Sequence, residues 1–385
     1  MSNRGTERLP AGVIETLEAA RERDSVAGLG IAEGGAASAG RKSGFKAADR
    51  LTGLLLGCAI GDALGMPVSS FSDDNDATLR ALHRLGGVRD FLAPQGHVHR
   101  ALQRLRAGCW TDETQLTLAT ARALMQQRRL SYEGIASAYV QAFKTLELRG
   151  WDPTTKQACR RLEQGTPYTH SGKRGGHTNT VIGRIAPIAG WSYCRGESDR
   201  ELFAHCRAVA LMTQQDSRPV VGAYLIALLV RDGLASSRRW EPSADRYFEL
   251  IEEAKWAESV LAAGVGASEY PLSQHLAELS DALEDSDPSE LAELSHGATG
   301  DICASVPFLV AMLCSRSWEF EEGVIATVNV GGATDTNAAA VGAILGATYG
   351  VRKLPRRFID KVEEAEMIRE LGHQWAGIAM QGTAS

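Results

Sequence analysis

Leu51-Thr52-Gly53-Leu54-Leu55-Leu56-Gly57-Cys58-Ala59-Ile60-Gly61-Asp62-Ala63-Leu64-Gly65-Met66 is the stretch on which the fold turns. Its apolar residues recur at helical spacing. Gly53, Gly57, Gly61 and Gly65 fall at every fourth position and so share one ridge of that helix. A glycine inside a helix costs about 0.5–1 kcal/mol against alanine. Several on one face therefore imply that another backbone comes close there. Near the other end of the chain, Ala338, Ala339, Gly342 and Gly346 form a similar small-residue stripe within Thr336–Tyr349. The two helices are expected to pack together and to bring the loops at their ends into one place.

Outward from this pair, apolar spacing near 3.6 predicts helices over Thr114–Arg128, Tyr132–Leu148, Val220–Arg231, Ala244–Leu261, Glu290–Leu294 and Ser305–Cys314. Runs rich in Val, Ile and Tyr with strict alternation are missing, which argues against an extended sheet. Breaks such as Met66-Pro67, Trp151-Asp152-Pro153 and Asp287-Pro288 separate the helices, and no solenoid period is present. The expected architecture is an all-α, compact single-domain bundle of about ten or more helices over residues 47–385. Residues 1–46 read as a flexible leader. Ala27–Gly44 is rich in Gly, Ala and Ser and carries little that could offset an ordering cost of about 1–2 kcal/mol per residue.

The 385 residues are 44% hydrophobic and 23% charged, a globular composition that excludes a largely disordered or collagen-like chain. A net charge of −6 argues against bulk capture of nucleic acid. The local cluster His97, His99, Arg100, Arg104 and Arg106 reads as a solvated face. Seven scattered cysteines without a C-x-x-C pair give neither a disulfide framework nor a zinc site and suit a reducing compartment. The longest apolar runs, Leu54–Ile60 and Ala338–Ala347, fall short of the roughly 20 residues that span a bilayer. No charged-then-apolar secretory signal opens the chain. A soluble, cytoplasmic monomer is expected. Gly/Ala/Ser-rich leaders also open bacterial effectors delivered by needle-like secretion systems, so delivery into a host cell is the alternative localisation.

Two segments resemble each other: Trp110-Thr111-Asp112-Glu113-Thr114-Gln115 and Ala333-Thr334-Asp335-Thr336-Asn337. Each follows a glycine and opens a long apolar helix. One such segment reads as an N-cap. Two of them, each setting carboxylates beside hydroxyls, also suit hard cations such as Mg²⁺, Mn²⁺ or Ca²⁺. A third element is Ser171-Gly172-Lys173-Arg174-Gly175-Gly176-His177-Thr178-Asn179-Thr180, followed by Arg184. Its small residues would let backbone N–H groups approach a phosphate, although it lacks the G-K-[ST] ending of a Walker loop.

Taken in order, these motifs resemble the ADP-ribosylglycohydrolase family, that of dinitrogenase-reductase-activating glycohydrolase and the ADP-ribosylhydrolases. The matching stretches are G-C-A-I-G-D-A-L-G-M-P at 57–67, G-C-W-T-D-E-T-Q-L at 108–116 and N-T-V-I-G-R-I-A-P at 179–187. They continue with L-M-T-Q-Q-D at 211–216 and V-G-G-A-T-D-T-N-A-A-A-V-G-A-I-L-G-A at 330–347. The resemblance implies an all-α fold with two Mg²⁺ or Mn²⁺ ions in a central cleft, where ADP-ribose is cut from a protein side chain or a related conjugate. It makes Thr111, Asp112, Glu113, Asp335 and Thr336 the metal ligands, with Asp112, Glu113 and Asp335 catalytic. Asp62, Ser171, Gly172, Gly175, Gly176, His177, Asn179 and Arg184 would bind ADP-ribose.

Four positions depart from the family pattern. Glu113 stands where aspartate is usual, and Ala333 replaces the first aspartate of G-G-D-T-D-T, which removes a carboxylate ligand. Ser69 stands in the seat of a glutamate often given the acid/base role, and a serine cannot act as an ordinary base near pH 7. Gln214 replaces a histidine. Asp73, Asp74 or Asp76 could supply a displaced carboxylate, although a solvated acidic turn is the plainer reading. The expected function is a metal-dependent ADP-ribosyl hydrolase with a divergent site. The alternatives are a non-catalytic ADP-ribose-binding protein and a sister lyase or transferase reaction on the same ligand.

Overall fold

The computed structural model describes residues 39–69, 75–237, 239–241, 243–266, 268–283 and 287–381. In chain order its helices are α1 (Ala39–Gly65), α2 (Asp76–Leu85), α3 (Asp112–Gln127), α4 (Tyr132–Thr145), α5 (Pro153–Glu163) and α6 (Thr180–Arg184). Then follow α7 (Ala186–Arg195), α8 (Asp199–Leu211), α9 (Ser217–Ala235), α10 (Ala244–Leu261), α11 (Leu272–Glu278) and α12 (Pro288–Leu294). The chain ends with α13 (Ile302–Ser315), α14 (Phe320–Asn329), α15 (Thr334–Tyr349), α16 (Arg356–Ile359) and α17 (Ala365–Met380). Among the described residues the only sheet pairs β1 (Lys173–Arg174) with β2 (Gln214–Gln215) in parallel, so the fold is all-α. Most of the expected leader, Asp73 and Asp74 lie outside the described residues. Among the described residues the first helix begins at Ala39, inside the expected leader.

The glycine ridge of α1 meets α15 as expected. A Cβ at Gly53, Gly57, Gly61 or Gly65 would come within 3.0 Å of the carbonyl oxygen of Gly346, Gly342, Ala338 or Thr334 respectively. The partner numbers fall as the glycine numbers rise, so the helices run antiparallel with their backbones in contact. Every residue of α15 is buried, and neighbours close over it. Gly233 lets α9 approach the Ile344 carbonyl, Gly323 lets α14 approach Leu345, and α17 lays Gly372 on Thr52 of α1.

One sequence expectation changes here. The segment Ala47–Val68 is long and apolar enough to cross a membrane by length and composition, because its small residues extend the apolar run Leu54–Ile60. From Leu51 to Val68 it is nevertheless buried inside the protein, as the core helix of a bundle is. All seven cysteines are buried and unpaired.

Because α1 and α15 are antiparallel, the C-terminal end of α1 lies beside the N-terminal start of α15. The Thr334 hydroxyl donates to the Gly65 carbonyl at 2.7 Å. Asp62, one turn before the end of α1, reaches the start of α3. Three helix ends therefore meet at one point, and the site is built there.

Candidate active site

At α3 the N-cap residue Thr111 makes no side-chain cap bond of its own. The free amides are satisfied from α1 instead. Asp62, fully buried, accepts from the Thr111 amide at 2.9 Å and the Thr114 amide at 3.0 Å, and from the hydroxyls of Thr111 at 2.8 Å and Thr114 at 2.6 Å. This is an N-cap supplied by a neighbouring helix. Burial, with the nearby Asp335 charge, pushes the Asp62 carboxyl up to about 7 despite those bonds. With its oxygens so engaged, Asp62 supports α3 and does not line the cavity.

The next two residues of α3 face α15. The Thr336 hydroxyl donates to Glu113 Oε1 at 2.7 Å, and the Ser69 hydroxyl donates to Asp335 Oδ1 at 2.7 Å. Glu113 Oε2 is buried without a hydrogen-bond partner and rests on Gly183 of α6, where any Cβ would collide with it. Asp112, Glu113 and Asp335 are each nearly fully buried. Burial raises all three carboxyls, and the mutual repulsion of the cluster raises Asp112 and Glu113 further.

These side chains form one wall of a cavity of about 360 Å³. Asp112, Glu113, Asn179, Asp335 and Thr336 line it, as do the altered positions Ser69 and Ala333. His99, expected on a solvated face, lines it too, and so do Trp151, Asp152, Thr154 and Lys156, none of which is among the expected site residues. From the Gly-rich run Lys173, Thr178, Asn179 and Thr180 reach the cavity, whereas Ser171, Gly172, Gly175, Gly176 and His177 do not.

Those five hold the run in shape. The Ser171 hydroxyl donates to the Met212 carbonyl at 2.7 Å, and Gly172 leaves room for the backbone of Leu211 and Gln214. Gly175 takes a left-handed turn with φ +65, Gly176 donates its amide to Lys173, and His177 lies 3.2 Å from Asp301. Arg184 is buried away from the cavity, donates to the Thr213 hydroxyl at 2.6 Å and stacks over Tyr139. Gln214 donates to the hydroxyls of Thr178 at 2.9 Å and Thr180 at 3.0 Å, fixing two groups that do line it. Asp76 is exposed, pairs with Arg80 and is not among the residues that line the cavity.

The donor set suits a hard divalent cation. It is all oxygen, its like charges crowd together, no Lys or Arg bonds to Asp112, Glu113 or Asp335 among the described residues, and Glu113 Oε2 lacks a partner. As it stands, no three His, Cys, Asp or Glu side chains among the described residues already converge at metal spacing. Ser69 and Thr336 occupy part of the carboxylate surface instead.

Known proteins share this architecture. The family model for ADP-ribosylglycohydrolase matches residues 45–384. ADP-ribosylhydrolase ARH3 of Bos taurus is 27% identical over 88% of this chain and 96% of its own length. An uncharacterised protein of Archaeoglobus fulgidus is 26% identical over 84% of this chain and 94% of its own. A solved structure described as an ADP-ribosylglycohydrolase-related protein complex superposes with TM-score 0.62 at 22% identity, covering 87% of this chain and all of its own. On the match to the family model across nearly the whole helical body, this chain belongs to the ADP-ribosylglycohydrolase family.

Proposed function

We propose that the chain is a metal-dependent hydrolase that releases ADP-ribose from a modified protein side chain or a related conjugate. Mg²⁺ or Mn²⁺ would be held by Asp112, Glu113 and Asp335, with the Thr336 hydroxyl beside them, whereas the Thr111 hydroxyl, expected as a further ligand, is donated to Asp62 and does not line the cavity. The observation that carries this reading is the meeting of the α3 and α15 starts, which sets three buried carboxylates on one cavity wall. The ADP-ribosylhydrolase relatives support the substrate class. When bound, the ion would supply a Lewis acid for the ribose hydroxyls and a template for the attacking water.

The chain's own residues do the rest. Lys156 and Lys173 bring positive charge to the lining for the diphosphate, and Asn179, Thr178 and Thr180 offer hydrogen bonds that fix the ligand's orientation. Ser69 holds the Asp335 carboxylate in place. Ala333 offers no ligand at all, so the ion is expected to bind more weakly than an intact aspartate would allow.

The test is release of ADP-ribose from ADP-ribosylated peptides of several linkages, with and without Mg²⁺, by this chain and by Ala333→Asp. Metal-dependent release that rises in Ala333→Asp is the expected result, with mass spectrometry of the product separating hydrolysis from elimination or transfer. One observation favours a second reading, that of a non-catalytic ADP-ribose binder. The Ser69 hydroxyl, in the seat of the family glutamate, is already committed to Asp335. Binding by both forms without release would establish that reading, and no binding to either would remove both.

A further inference from the structure

Four carboxylates line the cavity, and three of them belong to the starts of α3 and α15. The fourth, Asp152, arrives from the turn before α5 and is accounted for only in part by that helix. It is the N-cap of α5: Oδ1 accepts from the Thr154 amide at 2.7 Å and the Thr155 amide at 3.2 Å, while Oδ2 takes a single 3.2 Å bond from Thr155. One acceptor oxygen is enough for a cap, and Asn or Ser serves as well as Asp. The ionisable carboxylate is therefore more than the helix requires.

Its place beside the acidic wall is built rigidly. The Asp112 amide donates to the Arg149 carbonyl at 2.9 Å. Gln115, one turn further into α3, donates to the Glu147 carbonyl at 2.8 Å and accepts from the Trp151 indole at 2.6 Å. The turn carrying Asp152 is thus tied at several points to the first turn of α3. The closeness is also electrical, since the Asp152 charge helps to raise the Asp112 carboxyl, after burial and Asp335. Two of the lining hydroxyls and the other three carboxylates have other roles. Ser69 and Thr336 donate their hydroxyl protons to Asp335 and Glu113, whose carboxylates, with that of Asp112, make up the cation wall.

We propose that Asp152 is the general base of this site, doing the proton transfer that Ser69 cannot do. The inference rests on the hydrolase reading above. Asp152 takes a proton from a water in the cavity as that water's oxygen bonds to the anomeric carbon of the ribosyl group. The bond from that carbon to the acceptor nitrogen or oxygen breaks, and its electron pair leaves on the acceptor, which collects a proton from solvent. Asp152 then returns its own proton to solvent, so one water is consumed and the carboxylate is restored.

Asp152→Asn keeps the cap and removes the base, and Asp152→Ser keeps the cap while opening room for a small carboxylate. Three measurements on the full chain with Mg²⁺ decide: kcat and KM for the peptide that wild type cleaves best, calorimetric binding of ADP-ribose, and the rate of Asp152→Ser in sodium formate. Loss of a general base predicts a fall of about 10²–10⁴-fold in kcat, with KM and ADP-ribose affinity changed less than about threefold. It also predicts partial recovery of Asp152→Ser by formate. Asn and Ser variants that keep kcat within threefold overturn the role of Asp152 and leave the hydrolase reading standing, as does a fall shared equally by binding and kcat with no formate response. A wild type that binds ADP-ribose but cleaves none of the conjugates overturns both.

Discussion

Glu113 shows how one methylene is accommodated in a packed interior. Its carboxylate is one bond further from the backbone than the aspartate usual in the family, and the added reach is absorbed by Gly183, whose missing side chain leaves space for Oε2. Gly183→Ala puts a methyl group onto a buried oxygen whose partner oxygen is held by Thr336. A destabilisation of about 1–3 kcal/mol is expected from such overpacking. Glu113→Asp in the same chain shortens the arm and should recover most of it. A double-mutant cycle in urea checks this, and additive effects, with coupling under about 0.5 kcal/mol, would refute the pairing. Such compensation was not legible in the sequence, because residues 113 and 183 meet only through the tertiary fold. Asp112, Glu113, Asp335 and Thr336 could be named beforehand, since a carboxylate at a helix start has a local signature. Asp152 carries the same kind of signature, an aspartate followed by proline at a helix start, but Trp151-Asp152-Pro153 reads equally as a break between helices. Resemblance places Asp62 and Arg184 at the ligand, whereas in the structure both lie behind the wall.

At the scale of elements, the α1–α15 contact is what sets the site, because it decides which helix ends are neighbours. Backbones this close leave no room for a side chain at Gly57, where a Cβ would press on the Gly342 carbonyl. A carbonyl inside a buried helix cannot swing aside as a side-chain tip can. Gly57→Ala should therefore cost about 3 kcal/mol or more, despite the gain in helix propensity. Gly377 in α17 has open space around its Cβ position. There the same substitution should be neutral or should stabilise by up to about 1 kcal/mol. Thermal melts of the two variants against wild type make the comparison, and equal responses would mean that the ridge is not the packing contact. This pair was legible because glycine at every fourth position has a local cost that only close approach offsets. The boundaries of α10, Ala244–Leu261, were also legible. Helices α5, α8 and α17 were not, since their apolar residues are interleaved with long polar ones and acquire a buried face only when a partner covers it. The two-residue strands that tie the Gly-rich run to Gln214 are too short to leave a pattern.

For the molecule as a whole, the site is a store of unfavourable charge. Asp62, Asp112, Glu113 and Asp335 are buried together, and the buried guanidinium of Arg184 is turned to Thr213 and Tyr139. Their carboxyls are all raised, Asp62 from 3.8 to about 7. A carboxyl raised on folding gives the native state more bound protons than the unfolded chain between those two values. Its stabilising contribution is complete below the unfolded pKa and is lost as pH rises through the folded one. For Asp62 alone that change corresponds to roughly 4 kcal/mol. Glu197 and Asp216 run the other way. In each, burial is outweighed by a hydrogen-bonded partner, His205 or Arg218, and what they contribute is lost only as pH falls through their lowered values. Between pH 5 and 7.5 the acidic wall should therefore govern. In a chelator the Tm should fall as pH rises across that window. Mg²⁺ should flatten the slope, because a bound cation displaces the protons and favours the ionised carboxylates. In Asp112→Ala the flattening should disappear, since a ligand is missing. Calorimetric scans at several pH values, with chelator and with Mg²⁺, read all of this directly. A Tm that is level or rising in chelator would show that the four carboxylates are not strained in the folded state. A slope unchanged by Mg²⁺ would show that whatever this cavity holds, it is not a divalent cation.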